Sequence, residues 1–361
     1  MDSLELQSKK KESVVELLER LDGGLVPDDE LKELVKIQLE KRLQWGYKPT
    51  YEEQVDFHLE FINSLKKLDI SGDMEMINDE SYDIPISFLN LMFGKTLKQS
   101  ACYFDHEVMT LDEAEIAMHD LYCERAQIKD GQSILDVGCG HGSLMFHIAQ
   151  KFKNCIVTGI TNSITQKNFI EEQCRNLKLL NVKVILADVR KYEMEAKFDR
   201  VIIIGTIEHM KNIQLFLKKI SMSMKEEGLL FVDHLCHKVF PYHIEALDCD
   251  DWHSEYHFPK GSVTLLAASS LLYIQDNVSV VSHWILNGKH MARSLDEWQK
   301  NLLSNHDAAK DLLIFALGNK TAAEKCMNHY QTFHVAMSEQ FSYKNGEEWM
   351  SSHILFCKKN V

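Results

Sequence analysis

A short apolar stretch that ends in three alternate glycines constrains the fold of this chain more than any other feature. Residues 134–137 read as a buried strand, and Gly138, Gly140 and Gly142 follow in the spacing GxGxG. A helix-like segment at 143–152 comes directly after them. This order is typical of a parallel strand that passes through a tight turn into a crossover helix. Glycines permit the positive φ of such a turn and let a ligand lie against bare backbone.

The alternation of strand and helix then continues along the chain. It predicts strands at 156–160, 182–186, 200–204, 229–234, 278–286 and 352–356, and helices at 163–178 and 209–224, with two more between about 295 and 341. Strands separated by helices predict an α/β fold, a parallel sheet with helices on both faces. The segment 236–275 breaks this rhythm and reads as an insertion near the carboxyl-terminal edge of the sheet.

The first part of the chain has a helical pattern instead. Apolar residues recur at helical spacing through 12–70, and Pro27 with the acids after it suits a helix start. Helices are expected at 51–68 and 110–127, the latter with Thr110 as cap and Glu113 at capping-box spacing. The chain is accordingly divided into an N-terminal helical region (1–109), an α/β core (110–235), an insertion (236–275) and carboxyl-terminal strands and helices that complete the core (276–361).

The charge balance restricts the class of partner. The chain of 361 residues has 40 basic and 54 acidic side chains, a formal net charge of −14. Nucleic acid is not expected as a partner, because phosphate contacts need clustered lysine and arginine. The charge suits a small cationic substrate, although an acidic surface also serves solubility alone.

The cysteines and the hydropathy restrict the location. The nine cysteines are scattered, odd in number and without a CxxC pair, which favours free thiols in a reducing compartment over disulfides or a zinc site. No apolar run reaches the roughly 18 residues of a membrane-spanning helix. We expect a cytoplasmic protein with no metal and no membrane partner.

The glycine turn has an acidic residue, Asp136, inside the strand that precedes it. Its GxGxG spacing differs from the dinucleotide-binding form GxGxxG. The turn resembles motif I of the class I S-adenosylmethionine-dependent methyltransferases, whose core is Rossmann-like. A purely structural glycine turn in another α/β fold is the alternative.

Polar groups stand at the other strand ends, where ligands bind in open α/β sheets. Asn162 and Gln166 follow the second strand, and Asp188, which could accept the amino group of adenine, follows the third with Val189 beside it. Ile204 ends the fourth strand. Gln99 and Ser100 belong to a polar string upstream of the glycine turn.

Several strings make the resemblance more specific. TNSxxQ at 161–166, QSACYF at 99–104 and IEHMKN at 207–212 are similar to the cyclopropane fatty acid synthase superfamily. LQWGYKPTYEEQ, LDEAEIAM, LYCERAQIKDGQ, QDNVSVVSHW and NGEEWM resemble its plant branch, the benzylisoquinoline alkaloid N-methyltransferases. The similarity extends from about residue 12 to 358.

This resemblance implies that the core (110–235) binds S-adenosyl-L-methionine as the cofactor and that the insertion (236–275) forms a cap over the substrate. The contacts that it implies are Gln99, Ser100, Asp136, Gly138, Gly140, Asn162, Gln166, Asp188, Val189 and Ile204. For each polar member the alternative is a helix cap or a turn residue. That alternative is strongest for Asn162, because asparagine is a good N-cap.

Glu208 and His209 are the candidate catalytic residues. They follow the fourth strand, where the methyl group should point, and the alkaloid enzymes use this Glu-His pair. An alkaloid amine is mostly protonated at neutral pH, so a base that removes the proton would help methyl transfer. A carboxylate beside an imidazole can accept that proton and hold a cation. The alternative is that the pair caps the helix that follows.

Two positions depart from the family pattern. Family members often have a glutamate three residues before the Glu-His glutamate, where this chain has Gly205. The fatty-acid branch uses a late cysteine near the carbocation, and the matching position here is His334. The first departure removes one acidic contact, and the second counts against lipid cyclopropanation.

Further substrate contacts are expected from an acid and four aromatic residues. Asp83 matches an acidic position that faces the amine in the family, although it could be a solvated turn residue. Trp252, Tyr256, Phe258 and Trp284 could form aromatic walls for a cationic ring system, or they could belong to the core.

The preferred interpretation is an S-adenosyl-L-methionine-dependent N-methyltransferase of benzylisoquinoline alkaloids. Two strings, LLAASSLLY at 265–273 and NGKHMARS at 287–294, look more like the branch that converts a tertiary amine such as reticuline to a quaternary ammonium. The alternatives are a coclaurine-type enzyme of secondary amines, a lipid cyclopropane synthase, and a cofactor-binding scaffold without catalysis. The expected partner is a small alkaloid, and a homodimer is possible.

Overall fold

The computed structural model describes residues 13–70, 84–261 and 263–359. The first described part is helical, as predicted. Its helices are α1 (Val14–Asp22), α2 (Asp28–Gly46), α3 (Tyr51–Leu65), α4 (Ile86–Met92) and α5 (Leu111–Arg125). The third helix ends at Leu65, a turn earlier than the hydrophobic spacing indicated.

Side-chain caps determine where these helices begin. The Thr110 hydroxyl accepts from the Glu113 N–H, and the Glu113 carboxylate accepts from the Thr110 N–H at 2.9 Å. This capping box confirms the predicted start of α5. Pro27 occupies the N-cap position of α2, and three acidic residues fill the first turn after it. Negative charge there complements the positive end of the helix dipole.

Nine strands in the described ranges form one sheet system. They are β1 (Ser133–Val137), β2 (Ile156–Thr161), β3 (Val182–Leu186), β4 (Phe198–Ile204), β5 (Met224–His237), β6 (Tyr242–His243), β7 (Thr264–Ala267), β8 (Val278–Leu286) and β9 (Trp349–Lys358). The parallel core has the order β3-β2-β1-β4-β5, and β9 lies antiparallel between β5 and β8. Every strand predicted from the sequence is present, although β4, β5 and β9 are longer than expected.

The order of the strands creates a crevice. The chain passes from β1 through β2 to β3 on one side, and then crosses to β4 and β5 on the other. Ligands of open α/β sheets bind at such a switch point, beyond the carboxyl ends of the strands. Because β1 and β4 are neighbours in the sheet, the turns that follow them meet there.

Helices cover both faces of the parallel strands, as expected for this α/β architecture. They include α6 (Ser143–Lys151), α7 (Ile164–Leu177) and α8 (Ile213–Met222). Alternate strand residues enter different hydrophobic clusters: Ile134 and Ile202 belong to one, and Leu135 and Val201 to the other. This period of two is what a sheet buried on both faces requires.

The helix predicted at 209–224 is shorter than the sequence indicated. The Asn212 side chain accepts from the Leu215 N–H at 3.0 Å and caps α8, so that the helix begins at Ile213. Residues 207–209 form a separate 3₁₀ turn before it. Asparagine is a strong N-cap, and this local hydrogen bond outweighs the apolar spacing that suggested an earlier start.

The segment 236–275 has its own small elements. They are β6, β7 and the helix α9 (Trp252–His257), and β7 runs parallel to the end of β5. A buried ion pair, Arg42 Nη2 to Asp251 Oδ2 at 3.0 Å, ties the start of α9 to α2. The insertion is therefore anchored both to the sheet and to the N-terminal helices.

The prediction of two helices between 295 and 341 was wrong. Three are present: α10 (Lys289–Ser304), α11 (His306–Leu317) and α12 (Lys320–Gly346). Gly318 ends α11 with a left-handed φ of 63°, a conformation that glycine adopts readily. In the described part of the chain, none of the helices combines the length and the apolar character that crossing a membrane requires.

Candidate active site

The turns after β1 and β4 are in direct contact. Gly138 has a φ of +75°, and a Cβ on it would lie 2.2 Å from Thr206 Oγ1. The Thr206 hydroxyl donates to the Val137 carbonyl oxygen at 3.1 Å. A side chain at position 138 would therefore collide with the second turn, which explains the first glycine of the GxGxG string.

The second glycine of that string faces open space. Gly140 has a φ of +54°, and a Cβ there would meet no atom within 4 Å. The next residue, His141, is buried; its Nδ1 lies 3.1 Å from Gln99 Nε2, and its Nε2 has no hydrogen-bond partner. Exposed backbone beside an unpartnered buried polar atom is an arrangement that a polar ligand would complete.

Asp136 lies inside β1, just before this turn. It is 4% exposed, and its ladder neighbours are Gly159 and Ile202. Burial raises the pKa of its carboxyl group to about 7, because the surrounding protein excludes the water that would stabilise the charge. A positively charged ligand group near this carboxyl would favour its ionised form.

The segment 98–100 approaches the glycine turn from outside the sheet. Gln99 is exposed and reaches His141, as described above. Ser100 is half-buried, and its hydroxyl accepts a hydrogen bond from the Lys98 ammonium group. The structure thus brings the upstream polar string next to the GxGxG turn, although about forty residues separate them in the sequence.

At the end of β2, the cap is a different residue from the one the sequence suggested. The Ser163 hydroxyl accepts from the Gln166 N–H at 3.3 Å and caps α7, so Asn162 is not the N-cap. Asn162 is exposed at the end of the strand. Gln166 is buried, and its Oε1 accepts from the Thr161 hydroxyl at 2.6 Å.

The end of β3 has an ion pair. Both carboxylate oxygens of Asp188 accept from the Arg190 side chain, at 2.8 and 3.0 Å. Partial burial opposes ionisation, but these hydrogen bonds outweigh it and lower the pKa of Asp188. Any adenine amino group would therefore share this carboxylate with Arg190. Val189 and Ile204 are half-buried at the same edge of the sheet.

Glu208 lies in the 3₁₀ turn after β4 and is 5% exposed. Its Oε1 accepts from the Leu235 N–H on β5 at 2.8 Å, whereas its buried Oε2 has no hydrogen-bond partner. Burial raises the pKa of this carboxyl group to about 7. Since Asn212 caps α8, the alternative reading of Glu208 as a helix cap was wrong.

His209 has both open surface and a desolvated environment. Its side chain is exposed, yet desolvation by surrounding protein is the main cause that lowers its pKa. The two observations together are typical of a residue that lines a cleft. Lys211 and Arg190 lower the pKa of His209 further, so its imidazole is neutral at physiological pH.

Gly205 lies between β4 and this turn, in a left-handed conformation. Its φ is +59°, its N–H donates to the Asp233 carbonyl oxygen at 3.1 Å, and a Cβ would meet no atom within 4 Å. A larger side chain thus has space, but the backbone conformation would be strained by about 1–2 kcal/mol. The sequence alone did not show this backbone constraint.

The aromatic residues proposed as substrate walls divide into two locations. Trp252 is buried at 2% exposure, the Tyr256 hydroxyl donates to Asp22 Oδ1 at 3.0 Å, and Phe258 packs 6.1 Å from Phe333. These three thus pack among α1, α9 and α12. Trp284 is on β8 instead, where the Arg125 guanidinium lies 5.0 Å from its ring centre. Asp83 lies outside the described residues.

His334 is a buried residue of α12. Its Nδ1 lies 3.2 Å from Gln299 Oε1, and its ring centre is 6.1 Å from that of Trp298. Burial lowers the pKa of His334 to about 3, so the ring is neutral at physiological pH. The sequence did not indicate the surroundings of His334, and the structure shows that it is a neutral ring packed among aromatic side chains.

Sequence reasoning passed over two residues that the structure brings to the site. His141 stands inside the GxGxG string, and Lys211 inside IEHMKN, so both were within quoted motifs. The Lys211 ammonium group is buried and donates to the Gly261 carbonyl oxygen at 2.8 Å and to the Thr264 hydroxyl at 3.1 Å. It connects the turn that has Glu208 with the inserted segment.

Proteins of known activity are similar to this chain over nearly its whole length. The family described as mycolic acid cyclopropane synthetase matches residues 71–345. The (S)-tetrahydroprotoberberine N-methyltransferase of Eschscholzia californica is 54% identical over 347 residues, which cover 96% of this chain and 99% of that protein. The (S)-coclaurine N-methyltransferase of Thalictrum flavum subsp. glaucum is 51% identical and covers 97% of each chain.

A solved structure shows the same fold over nearly the whole chain. It is the crystal structure of a coclaurine N-methyltransferase bound to N-methylheliamine and SAH (S-adenosyl-L-homocysteine). It has a TM-score of 0.94 and 52% sequence identity, and the match covers 96% of this chain and 99% of that one. The α/β fold predicted from the glycine turn is therefore confirmed.

Proposed function

The chain belongs to the plant benzylisoquinoline alkaloid N-methyltransferases of the cyclopropane synthase superfamily, and from this premise we propose that it methylates a tertiary alkaloid amine to a quaternary ammonium. It is an S-adenosyl-L-methionine-dependent N-methyltransferase. The observation that carries the proposed mechanism is the buried Glu208 carboxyl group, with one oxygen held and the other without a partner.

When bound, S-adenosyl-L-methionine supplies an electrophilic methyl group. The site fits this cofactor, because Gly140 leaves open space and His141 presents an unpartnered buried nitrogen beside it. The residues that would hold it lie at the strand ends and in segment 98–100: Gln99, Ser100, Asp136, Gly138, Gly140, Asn162, Gln166, Asp188, Val189 and Ile204. Asp136 would offer negative charge to the cationic part of the cofactor.

Glu208 is the proposed base. The substrate nitrogen must lose its proton before it presents a lone pair, and the free Oε2 can accept that proton. A pKa of about 7 makes this carboxylate a stronger base than an ordinary glutamate, while still leaving much of it ionised at neutral pH. The Leu235 N–H fixes the other oxygen and therefore the orientation of the group.

His209 is proposed to line the cleft beside the amine as a neutral ring. An imidazolium would repel the protonated substrate, and the nearby Lys211 and Arg190 disfavour that form. A neutral imidazole can accept a proton and can also face a cation. In this proposal Glu208 and His209 prepare the nitrogen, and the rest of the site holds the two reactants in line.

A panel of amines tests the proposed substrate class. We expect a higher kcat/KM for tertiary amines of the reticuline, aporphine or protoberberine type than for coclaurine-like secondary amines, and no cyclopropanation of unsaturated phospholipid vesicles. A preference for secondary amines would favour the coclaurine-type alternative. Absence of any methyl transfer, with intact SAH binding, would indicate a scaffold without catalysis.

Two substitutions test the proposed base. Glu208→Gln and His209→Ala should each lower kcat by roughly 10²-fold or more with little change in SAH affinity, and higher pH should restore part of the rate because more amine is already neutral. Glu227→Gln is the matched control, since Glu227 is exposed on β5. Unchanged turnover in both variants would contradict a catalytic role and would leave Glu208 only as the hydrogen-bond acceptor of the Leu235 N–H.

Gly205 supports the tertiary-amine reading. A quaternary product is a permanent cation that deprotonation cannot release, so a second carboxylate at this position would retain it. We expect Gly205→Glu to strengthen product inhibition. Gly205→Ala and Gly205→Gln share the backbone strain at φ +59° without the charge, and they should leave product inhibition unchanged. Equal product inhibition in the Glu and Gln variants would contradict this role.

The proposed location is the cytosol. All nine cysteines are free thiols, and five of them are buried. Free thiols persist in reducing compartments.

The proposed oligomeric state is a homodimer. Light scattering of the purified protein, with and without SAH, tests whether it is a dimer or a monomer in solution.

A further inference from the structure

A lysine is buried beneath the segment that approaches the glycine turn. Lys98 is 3% exposed, and its ammonium group donates to the Ser100 hydroxyl and, at 3.3 Å, to the Tyr122 hydroxyl. Desolvation lowers its pKa, although Cys102, Asp233 and Glu115 act in the opposite direction. Lysine is rarely buried unless its charge has partners, so this position needs an explanation.

Tyr122 of α5 connects this lysine with β5. Its hydroxyl donates to Asp233 Oδ2 at 2.5 Å, and Asp233 Oδ1 lies 3.4 Å from His353 Nε2. Burial opposes ionisation of Asp233, but His353, Tyr122 and Lys98 outweigh it and lower its pKa to about 2. Asp233 is therefore a buried carboxylate that the Tyr122 hydroxyl holds by one oxygen.

Asp233 is also joined to the reacting end of the site. Its carbonyl oxygen accepts from the Gly205 N–H at 3.1 Å, and it lies opposite Ile204 in the sheet. Two residues farther along β5, the Leu235 N–H holds Glu208. A continuous series of hydrogen bonds thus connects Ser100 at one side of the crevice with the strand that orients Glu208 at the other.

We propose that Lys98 is a positioning residue: through Ser100 on one side, and Tyr122 and Asp233 on the other, it holds segment 98–100 in the place where it contacts the cofactor. The inference rests on the proposed function, in which Gln99 and Ser100 touch S-adenosyl-L-methionine. Buried charges are costly unless their hydrogen bonds are well arranged, and such a network specifies one geometry. An apolar side chain of similar volume would fill the space without directing Ser100.

The experiment compares cofactor affinity with turnover. Lys98→Met should raise the Kd for SAH, measured by calorimetry, and the KM for S-adenosyl-L-methionine by about tenfold, while kcat at saturating cofactor falls much less. Tyr122→Phe, which keeps Lys98 and Asp233, should also weaken SAH binding more than it lowers kcat, but by a smaller factor. Lys95→Met is the matched control, because Lys95 is exposed and pairs only with Asp112 among the described contacts.

A role limited to stability would lower Tm in Lys98→Met and leave the Kd for SAH unchanged below the transition, and that result would overturn the inference. If Lys98→Met does not fold, Tyr122→Phe decides in the same way. Gln99→Ala tests the premise that segment 98–100 contacts the cofactor. If Gln99→Ala weakens SAH binding but Lys98→Met and Tyr122→Phe do not, the proposed role of Lys98 is contradicted. If none of these three variants changes SAH binding, segment 98–100 is not part of the cofactor site.

Discussion

At the scale of single residues, backbone conformation explains why glycine stands at positions where side-chain chemistry gives no reason for it. Gly138 and Gly140 both have positive φ, but only Gly138 faces a neighbouring side chain, Thr206. A Cβ on Gly140 would meet no atom within 4 Å. The two glycines of one string therefore differ in their surroundings: a side chain at the first would collide with the second turn, whereas the second borders open space.

This difference leads to a prediction for Gly140. Gly140→Val should abolish SAH binding, because a branched side chain would occupy the open space. Gly131→Val is the matched control, since Gly131 also has a positive φ and no atom within 4 Å of its Cβ but precedes β1. Both variants should lose about 1–2 kcal/mol of stability. Calorimetric binding of SAH by Gly140→Val would show that the open space is not part of the cofactor site.

The pKa of Glu208 has a consequence for stability as well as for catalysis. In the folded protein the group keeps its proton up to about pH 7, well above the pKa of a glutamate in an unfolded chain. Protonated Glu208 contributes its full stabilisation of the fold at pH values below the pKa of a glutamate in the unfolded chain. This stabilisation is lost as pH rises through about 7. The ionised Glu208 carboxylate therefore destabilises the fold at neutral and alkaline pH, where the proposed base would act.

Glu208→Gln should accordingly be more stable than the parent at alkaline pH. The difference between an ordinary glutamate pKa and about 7 corresponds to at most about 3.5 kcal/mol. Denaturant unfolding should show this gain at about pH 8 and little or none near pH 4. Glu227→Gln, which changes an exposed side chain, should differ from the parent at neither pH. A Glu208→Gln variant that is less stable at both would contradict the burial argument.

At the scale of elements, hydrogen bonds between segments determine the site. The 3₁₀ turn at 207–209 and α8 are separate because Asn212 caps the helix, which leaves Glu208 and His209 outside it. The inserted segment is then held to the same turn by Lys211, whose ammonium group donates to Gly261 and Thr264. The position of the turn that has Glu208 and His209 therefore depends on the insertion as well as on the sheet.

Lys211→Met tests this dependence. We expect kcat/KM for the alkaloid to fall by about tenfold with unchanged SAH affinity, because the hydrogen bonds to the insertion are lost. The pKa of His209 should rise without the nearby positive charge, so the acidic limb of the pH–rate profile should move to higher pH. Lys218→Met in α8 changes an exposed lysine and should alter neither quantity. A pH profile identical to that of the parent would exclude this influence on His209.

At the scale of the whole molecule, one hydrophobic cluster joins regions that the sequence presents separately. Leu21 and Leu39 of the N-terminal helices share it with Ile134 of β1 and Trp349 of β9. The described parts of the chain should therefore unfold together rather than region by region.

A pair of substitutions in α2 tests this cooperativity. Leu39 is 2% exposed and belongs to the shared cluster, whereas Ile37 is 52% exposed on the same helix. Leu39→Ala should lower the free energy of unfolding by about 2–5 kcal/mol, and Ile37→Ala by much less. Circular dichroism and tryptophan fluorescence should report one coincident transition for Leu39→Ala. Two separated transitions would show that the N-terminal helices form an independent unit.

The sequence by itself determined the features that depend on neighbours along the chain. The strand before the glycine turn, the capping box of α5 and the alternation of strands and helices follow from local propensity and hydrophobic period, which act over a few residues. The motifs also suggested the family, and relatives that are 51–54% identical over nearly the whole chain confirm it.

Only the tertiary structure decided the state of the candidate site. Whether Glu208 can act as a base depends on its burial and on Leu235 of β5, and neither can be read from spacing. The cap of α8, the left-handed φ of Gly205 and the link from Lys98 to Asp233 likewise arise from residues that are distant in sequence or from backbone geometry. Desolvation and hydrogen bonding are properties of the folded surroundings, and they turn a string of polar residues into groups with defined charge and orientation.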